Sequence, residues 1–562
     1  MIKSNLNSKV REHNLQQMAA KQLDILVIGG GITGAGIALD AQTRGLQTGL
    51  VEMRDFASGT SSRSTKLVHG GLRYLKQLAF HEVAEVGSER AIVYENAPHV
   101  TTPVWMMLPF YQGGTLGKFT TAAALDVYDR LAQVKKSERK FMLDKKSSLA
   151  REPYLKADGL KGTGVYVEYR TDDARLVIEV IKRAHQEGSL VANYAKVTDL
   201  IYNSQGQVCG AKVVDQLTHR ELTIYAKRVI NAAGPWVDTI RQLDGSNQGK
   251  HLHLTKGVHL VVDNAKFPVK NAIFFDTPFH DKRMMFVIPR EGKTYFGTTD
   301  TTWNKDPAEP TVTVKDVHYI LEAVNKMFDI EPLTFADVES AWSGVRPLIQ
   351  EEGKSPSEIS RKDEIFHAKS GLYSIAGGKL TGYRKMAEKI IDQVARDIAQ
   401  NFGDYQYVKT QTVKLPLSGA DKSGSQGFQE FIEPAVKRGV TAGLSETAAA
   451  KLVHRYGRNV DQVYAYLSQC PSDGGLAPVD YAQLHYGLEK EMVIHPIDYL
   501  LRRSSQLLFD FKHVLQVKDQ IILEMAKYYS WSVETKTAMI AEVNQQINLR
   551  QVFKTTAQTQ VN

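Results

Sequence analysis

The period of apolar and polar positions changes along the chain, and each change predicts an element. Residues 25–28, Ile-Leu-Val-Ile, form an unbroken apolar run rich in β-branched side chains, as in a strand covered on both faces. Residues 35–44 then follow helical spacing, with Ile37 and Ala41 on one face and Gly45 as the stop. Residues 48–51 return to a strand, closed by Glu52. Helical spacing recurs at 173–188, where Leu176, Val180 and Ala184 share a face, and at 314–327. Strands are predicted at 164–168, 191–197 and 208–214, with a turn over 203–206; a buried strand at 228–234 runs out into small residues. From 251 to 301 strand follows strand, which predicts an antiparallel sheet as a separate layer. Residues 82–155 mix helix-like segments with a proline-containing stretch at 98–109. A strand at 372–376, a turn at Gly377 and Gly378 and a helix at 380–399 repeat the opening arrangement far along the chain. Beyond 414–419 the composition shifts. ADKSGSQG at 420–427 reads as a linker, and helices are predicted at 447–456, 460–467, 481–491, 496–508 and 516–530.

Composition narrows this picture only at a few points. A chain of 562 residues exceeds one hydrophobic core, so two or three domains are expected. The net charge of +8 suits an anionic substrate or an anionic membrane surface, and suits a merely basic soluble protein equally well. Two cysteines, Cys209 and Cys470, far apart, exclude a disulfide scaffold, a cysteine-held iron–sulfur cluster and a zinc ribbon, and fit a reducing cytosol. The first 22 residues lack the apolar run of a secretory signal. No apolar run of about 18 residues predicts a spanning helix. No metal is expected, because no His/Asp/Glu cluster has ligand spacing, and nothing points to nucleic acid.

The first glycine-rich turn carries the first chemistry. Gly29, Gly31 and Gly34 stand as G-x-G-x-x-G between strand and helix. The first permits the tight turn, the second lets a pyrophosphate approach the backbone, and the third lets the helix pack close to the sheet. The helix N-terminus offers unpaired N–H groups to phosphate. Glu52 stands where a ribose-binding carboxylate is expected, which argues against a 2′-phosphate; the motif alone does not separate NAD from FAD. Residues 59–64 are small and hydroxyl-bearing. Composition alone reads them as a linker, but their place after a nucleotide-binding unit favours donors to phosphate. The second strand–glycine–helix element favours FAD, a longer cofactor commonly gripped again by a distant segment. The small residues ending at Gly234 leave room for a further backbone approach.

The blocks VIGGGITGAGIALDA, GTSSRSTKLVHGGLRYL, VINAAGPW, TKGVHLVV, FGTTDT, GVRPL, EISRKDEI and AGGKLTGYRKMAE, in this order, resemble the FAD-dependent glycerol-3-phosphate dehydrogenases. The resemblance runs from about residue 20 to beyond 400. It implies an α/β fold: a Rossmann-like FAD-binding domain of the D-amino-acid-oxidase kind, an antiparallel substrate sheet and a C-terminal all-α domain. The expected division is 20–415 for the oxidoreductase region, with FAD-binding parts at about 20–80, 160–240 and 340–400 and substrate-sheet parts at about 81–159 and 241–339; the helical domain is 425–550. The implied reaction is oxidation of sn-glycerol 3-phosphate to dihydroxyacetone phosphate by hydride transfer to flavin N5. Electrons then pass to a membrane quinone, from an enzyme held peripherally at the inner face of the cell membrane; a homodimer is left open.

The same resemblance assigns residues. Cofactor contacts fall to Gly29, Gly31, Gly34, Glu52, Thr60, Ser61, Ser62, Ser64, Lys66, Leu67, His69, Gly234, Gly378, Lys379, Leu380 and Thr381. The substrate phosphate needs cations, and arginine grips it bidentately. Arg73, Arg346 and Arg361 are the candidates, with Tyr74 as a hydroxyl donor and Lys379 meeting both flavin and substrate. Any one of these arginines alone would read as a surface ion pair; Gly344 and Pro347 beside Arg346 argue otherwise. His259 is the first choice for the base that takes the hydroxyl proton, ahead of His69. By spacing alone His259 would be an ordinary strand histidine. Two readings compete with the dehydrogenase. One is the related glycerophosphate oxidase, which passes electrons to oxygen and carries a long polar insertion after its GVRPL-type motif; here only about a dozen residues separate Leu348 from Arg361. The other is a flavin-containing binding module without turnover.

Overall fold

The computed structural model describes residues 5–70, 80–113, 118–131, 134, 138–279, 281, 283–351, 362–472, 475–551 and 553–554. Its first sheet has the order Glu364–His367, Tyr373–Ala376, Glu221–Asn231, Leu23–Ile28, Thr48–Val51, Leu190–Ala192. The apolar run at 25–28 lies at its centre, parallel to both neighbours. The helices Ile32–Thr43, Asp173–Glu187 and Tyr383–Phe402 bury one face of this sheet in a shared core with Ile37, Leu176 and Ile390. Leu15 and Met18, on the helix Ser8–Ala20, join the core on the other face with Leu23 and Leu26. That N-terminal helix is not legible in the sequence, because its apolar stripe is narrow. At Gly34 an added Cβ would come within 1.9 Å of the Gly29 carbonyl, so only glycine allows the helix to pack this close.

The second sheet runs Thr301–Thr302, Lys250–Asp263, Lys293–Gly297, Met284–Arg290, Ala272–Asp276, Thr101–Tyr111, Leu160–Thr171, Leu67–Val68, with Val338–Glu351 on the free side of Lys250–Asp263. It is antiparallel except where Ala272–Asp276 lies parallel to Thr101–Tyr111. The expected segment boundaries need correction here. Leu67–Val68, Leu160–Thr171 and Val338–Glu351 belong to this sheet and not to the cofactor domain, because each pairs along its length with a strand of the second layer. The proline-containing stretch contains the strand Thr101–Tyr111. Its second neighbour registers only with Met106 and Met107, so Pro103 and Pro109 lie outside the part paired on both sides.

The predicted strand 191–197 is two strands, Leu190–Ala192 and Ala195–Tyr202, broken at Asn193 and Tyr194, which has φ +51°. The break is used for docking. The Asn193 amide donates to Asp55 and to the Met492 carbonyl, and the Tyr194 hydroxyl donates to Asp498 at 2.7 Å. The helical domain seats on this point. Its first helix, Gly424–Thr441, begins inside the stretch expected to be a linker. A last helix, Val533–Leu549, follows the predicted set. The predicted helix 496–508 is a wide π-turn over Asp498–Arg503, then a break at Ser505 with φ +56°, then Gln506–Phe509.

That break carries the charges that hold the domains together. Asp55 accepts from Arg502 at 2.5 Å and from Arg503 at 2.8 and 2.9 Å, all three groups being buried. Nearby, Glu491 accepts from Arg175 at 2.8 Å and from Lys182 at 3.3 Å. Removing one member of such a buried cluster strands the rest. Asp55→Asn is expected to lower unfolding free energy by about 3–5 kcal/mol, measured by urea denaturation. Burial pushes the Asp55 carboxyl up, but the Arg503 and Arg502 charges outweigh it and hold it at about 2. A depressed folded value means that the stabilisation is complete above the unfolded carboxyl's value of about 4 and is lost as pH falls through about 2. The difference between wild type and variant should therefore stay level from about pH 8 to 5 and shrink below about pH 4.

Candidate active site

Two adjoining cavities lie where the sheets meet. The first, about 430 Å³, follows the C-terminal ends of the parallel strands and is lined by Gly29, Gly31, Glu52, Val197, Gly234 and Gly378, among others. The Glu52 carboxylate accepts from the backbone N–H of Gly30 at 2.6 Å and of Arg54 at 3.0 Å. Burial nonetheless raises it above the usual carboxyl range. Ser61 and Thr60 also line the cavity. The Ser61 hydroxyl accepts from the Ile32 N–H at 3.0 Å at the start of the first helix, and the Thr60 hydroxyl donates to the Val345 carbonyl.

Not every expected cofactor contact faces this cavity. Gly34 serves the packing of helix on strand and does not line it. Ser62 points away, towards a small space beside Arg63 and Arg550. Lys66 is turned inward by its left-handed backbone, φ +57°, and its ammonium lies 2.5 Å from Asp173, buried. Ser64 lines the cavity, but its N–H and hydroxyl both donate to Asp173. Neither Lys66 nor Ser62 therefore lines this cavity, and Ser64 is tied to the same carboxylate. Leu67, His69 and Thr381 face the second cavity instead.

The second cavity, about 470 Å³, shares Thr60, Ser64, Pro347, Gly378, Lys379 and Leu380 with the first. His259 lies opposite Trp342 across two antiparallel strands, its ring stacked on the indole at 4.8 Å. Its Nε2 is 3.0 Å from the Thr65 hydroxyl, and its Nδ1 is buried without a hydrogen-bond partner among the described residues. Burial, with the charges of Arg346 and Lys66, holds this imidazole well below its ordinary range, so it is neutral at neutral pH. Arg346 is held by the Thr298 hydroxyl at 3.0 Å and by Asp300 at 3.3 Å. A Cβ at Gly257 would meet its guanidinium at 2.2 Å, so a side chain there would displace Arg346. The Thr381 hydroxyl accepts from the His69 N–H at 3.0 Å and donates to the His69 carbonyl at 3.1 Å, clamping the second glycine turn to the segment after the first. Burial, with the Lys379 and Arg90 charges, also keeps His69 neutral.

Arg283 lines the same cavity and donates to the Asp300 carbonyl at 2.9 Å. It stands at the edge of a strand-like run and carries no local signal beyond its charge. Glu168 lines it too, accepting from Tyr128 at 2.7 Å and from Arg90 at 3.1 Å. The expected substrate residues Arg73, Tyr74 and Arg361 lie outside the described residues.

Comparison with known proteins bears on the fold and the cofactor. A family model described as FAD dependent oxidoreductase matches residues 24–384, and one described as the C-terminal domain of alpha-glycerophosphate oxidase matches residues 410–536. The aerobic glycerol-3-phosphate dehydrogenase of Staphylococcus haemolyticus (strain JCSC1435) is 53% identical over 97% of both chains. That of Staphylococcus aureus (strain USA300) is 52% identical over 96% of this chain and 97% of its own. A solved glycerol-3-phosphate dehydrogenase from Bacillus halodurans, complexed with FAD, superposes with a TM-score of 0.83 at 47% identity, covering 98% of this chain and 99% of that one.

The residues present fit FAD. The first cavity has glycine backbone where a pyrophosphate needs close approach, and an added Cβ at Gly234 would point into open space. Glu52 lines the same cavity at the end of the second strand, and Gly378, Lys379 and Leu380 border both cavities. Glu52→Gln replaces one acceptor oxygen with a donor and breaks one of the two backbone bonds. It is expected to weaken FAD binding about tenfold, measured by FAD titration of the apoprotein. Sequence, fold and cofactor cleft together place the chain in the FAD-dependent oxidoreductase family, among the aerobic glycerol-3-phosphate dehydrogenases.

Proposed function

We propose that this chain oxidises sn-glycerol 3-phosphate to dihydroxyacetone phosphate and delivers the electrons to a membrane quinone. The observation that carries the reading is a cavity adjoining the FAD cleft that sets a neutral, buried His259 among Arg346, Arg283 and Lys379. FAD, when bound, supplies the acceptor for the hydride leaving C2 of the alcohol. The chain's own groups do the rest. Arg346 and Arg283 bind the phosphate dianion, Arg346 through a bidentate fork held by Thr298 and Asp300. The proton of the C2 hydroxyl is taken up at His259 Nε2, which the Thr65 hydroxyl and the Trp342 face keep oriented. Lys379, on the wall common to both cavities, places substrate against cofactor. By the resemblance, Arg73, Tyr74 and Arg361 complete the phosphate grip.

The oxidase reading draws on the description of the C-terminal family model, and the dehydrogenase reading on the 52–53% identical relatives. Peripheral attachment to the inner membrane face is supported by the +8 charge; among the described residues no helix is long and apolar enough to cross a membrane. Anaerobic addition of glycerol 3-phosphate should bleach the visible flavin absorbance, and absence of bleaching would leave a binding module. Stopped-flow reoxidation should then be fast with a quinone analogue and slow with oxygen; the reverse order means an oxidase.

Arg346→Lys keeps the charge and loses the fork. Catalytic efficiency should fall by about 1–3 kcal/mol, roughly tenfold to a hundredfold, with FAD content unchanged. Steady-state kinetics and flavin occupancy check both halves. Normal kinetics, or loss of FAD, would remove Arg346 from the substrate site.

A further inference from the structure

A third cavity, about 500 Å³, opens between the helical domain and the second sheet, away from the cofactor. One wall is made by the ends of the strands Leu160–Thr171 and Met284–Arg290, and the other by the helix Glu446–Tyr456. Five Lys or Arg residues line it against three Asp or Glu. Arg290 spans Asp172 at 3.0 Å and Glu291 at 3.5 Å. Arg175 is neutralised by Glu179 and Glu491 outside the cavity. Arg170 donates only to the Pro289 carbonyl and Arg455 only to the Gln483 side chain, and Lys451 is exposed; none is in an ion pair among the described residues. The guanidinium of Arg290 is 7% exposed, and its Nη1 has no hydrogen-bond partner among the described residues.

Arg170, Arg455 and Lys451, with the unpartnered Nη1 of the buried Arg290, face two exposed acids, Glu446 and Glu291, and set guanidinium forks on two walls. Forks of this kind match the tetrahedral oxygens of phosphate, and the volume is that of a small-molecule site. We propose that this interdomain cavity binds a small phosphate-bearing anion, held by Arg170, Arg455 and Lys451. The ligand bridges the helical domain to the substrate sheet. Arg170 stands two and four residues beyond Glu168 and Tyr166, on the same face of a strand whose other end lines the active cavity, so the two sites share one strand but no residue.

The test is equilibrium dialysis of the FAD-loaded full chain against labelled inorganic phosphate at constant ionic strength, counting phosphate per FAD. The variant Arg170→Gln/Arg455→Gln should bind one phosphate fewer than wild type, whereas Arg346→Lys, altered in the other cavity, should retain that site. Equal stoichiometry in the double variant at equal FAD content overturns the proposal. Should the double variant lose FAD, Lys451→Gln decides, because an exposed lysine is not needed for folding. Its half-saturating phosphate concentration should rise about threefold, and an unchanged isotherm overturns the assignment.

Discussion

The buried ion pair of Lys66 with Asp173 is the interaction on which the active region depends. It closes a span of 107 residues and fixes the segment 58–69 between the two sheets. Once that segment is held, its remaining groups fall into place. Ser61 meets the first helix, Thr60 meets the strand that carries Arg346, and Thr65 meets His259. The Trp342 indole donates to the Ser64 carbonyl and the Tyr295 hydroxyl to the Thr65 carbonyl, so the second sheet is registered against the same loop. A buried charge without its counter-ion would be costly, which makes the loop's position all-or-none.

The helical domain is attached by the same physics. Asp55, a few residues beyond the second strand, takes two arginines from the π-turn at 498–503, and Glu491 takes Arg175 and Lys182 from the cofactor domain. The cofactor cleft is thus braced from behind by a domain that, among the described residues, contributes none to either cavity. A wide π-turn gives both Arg502 and Arg503 access to one carboxylate, which regular helical spacing would direct to different faces.

In the second cavity cations surround a neutral imidazole. Arg346, Arg283 and Lys379 line that cavity, and the Arg346 charge helps keep His259 unprotonated. Its Nδ1 has no hydrogen-bond partner among the described residues, so little there favours the charged ring. In the proposed reaction, a substrate anion in the cavity would offset that repulsion as the imidazolium forms.

Much of this was legible in residue order. The strand–glycine–helix units at both ends of the cofactor domain, the role of Gly34 as a packing glycine and the strand carrying His259 all follow from local rules, because period and backbone freedom act over a few residues. The structure decided what those rules do not reach. Whether Lys66 or Ser62 faces the cofactor cleft depends on one left-handed backbone and on Asp173 far along the chain. Arg283 joins the cavity because the strand it precedes pairs into the second sheet beside the one facing His259. The strands at 67–68, 160–171 and 338–351 changed layer because pairing partners distant in sequence, and not their own apolar pattern, determine the sheet in which a strand lies.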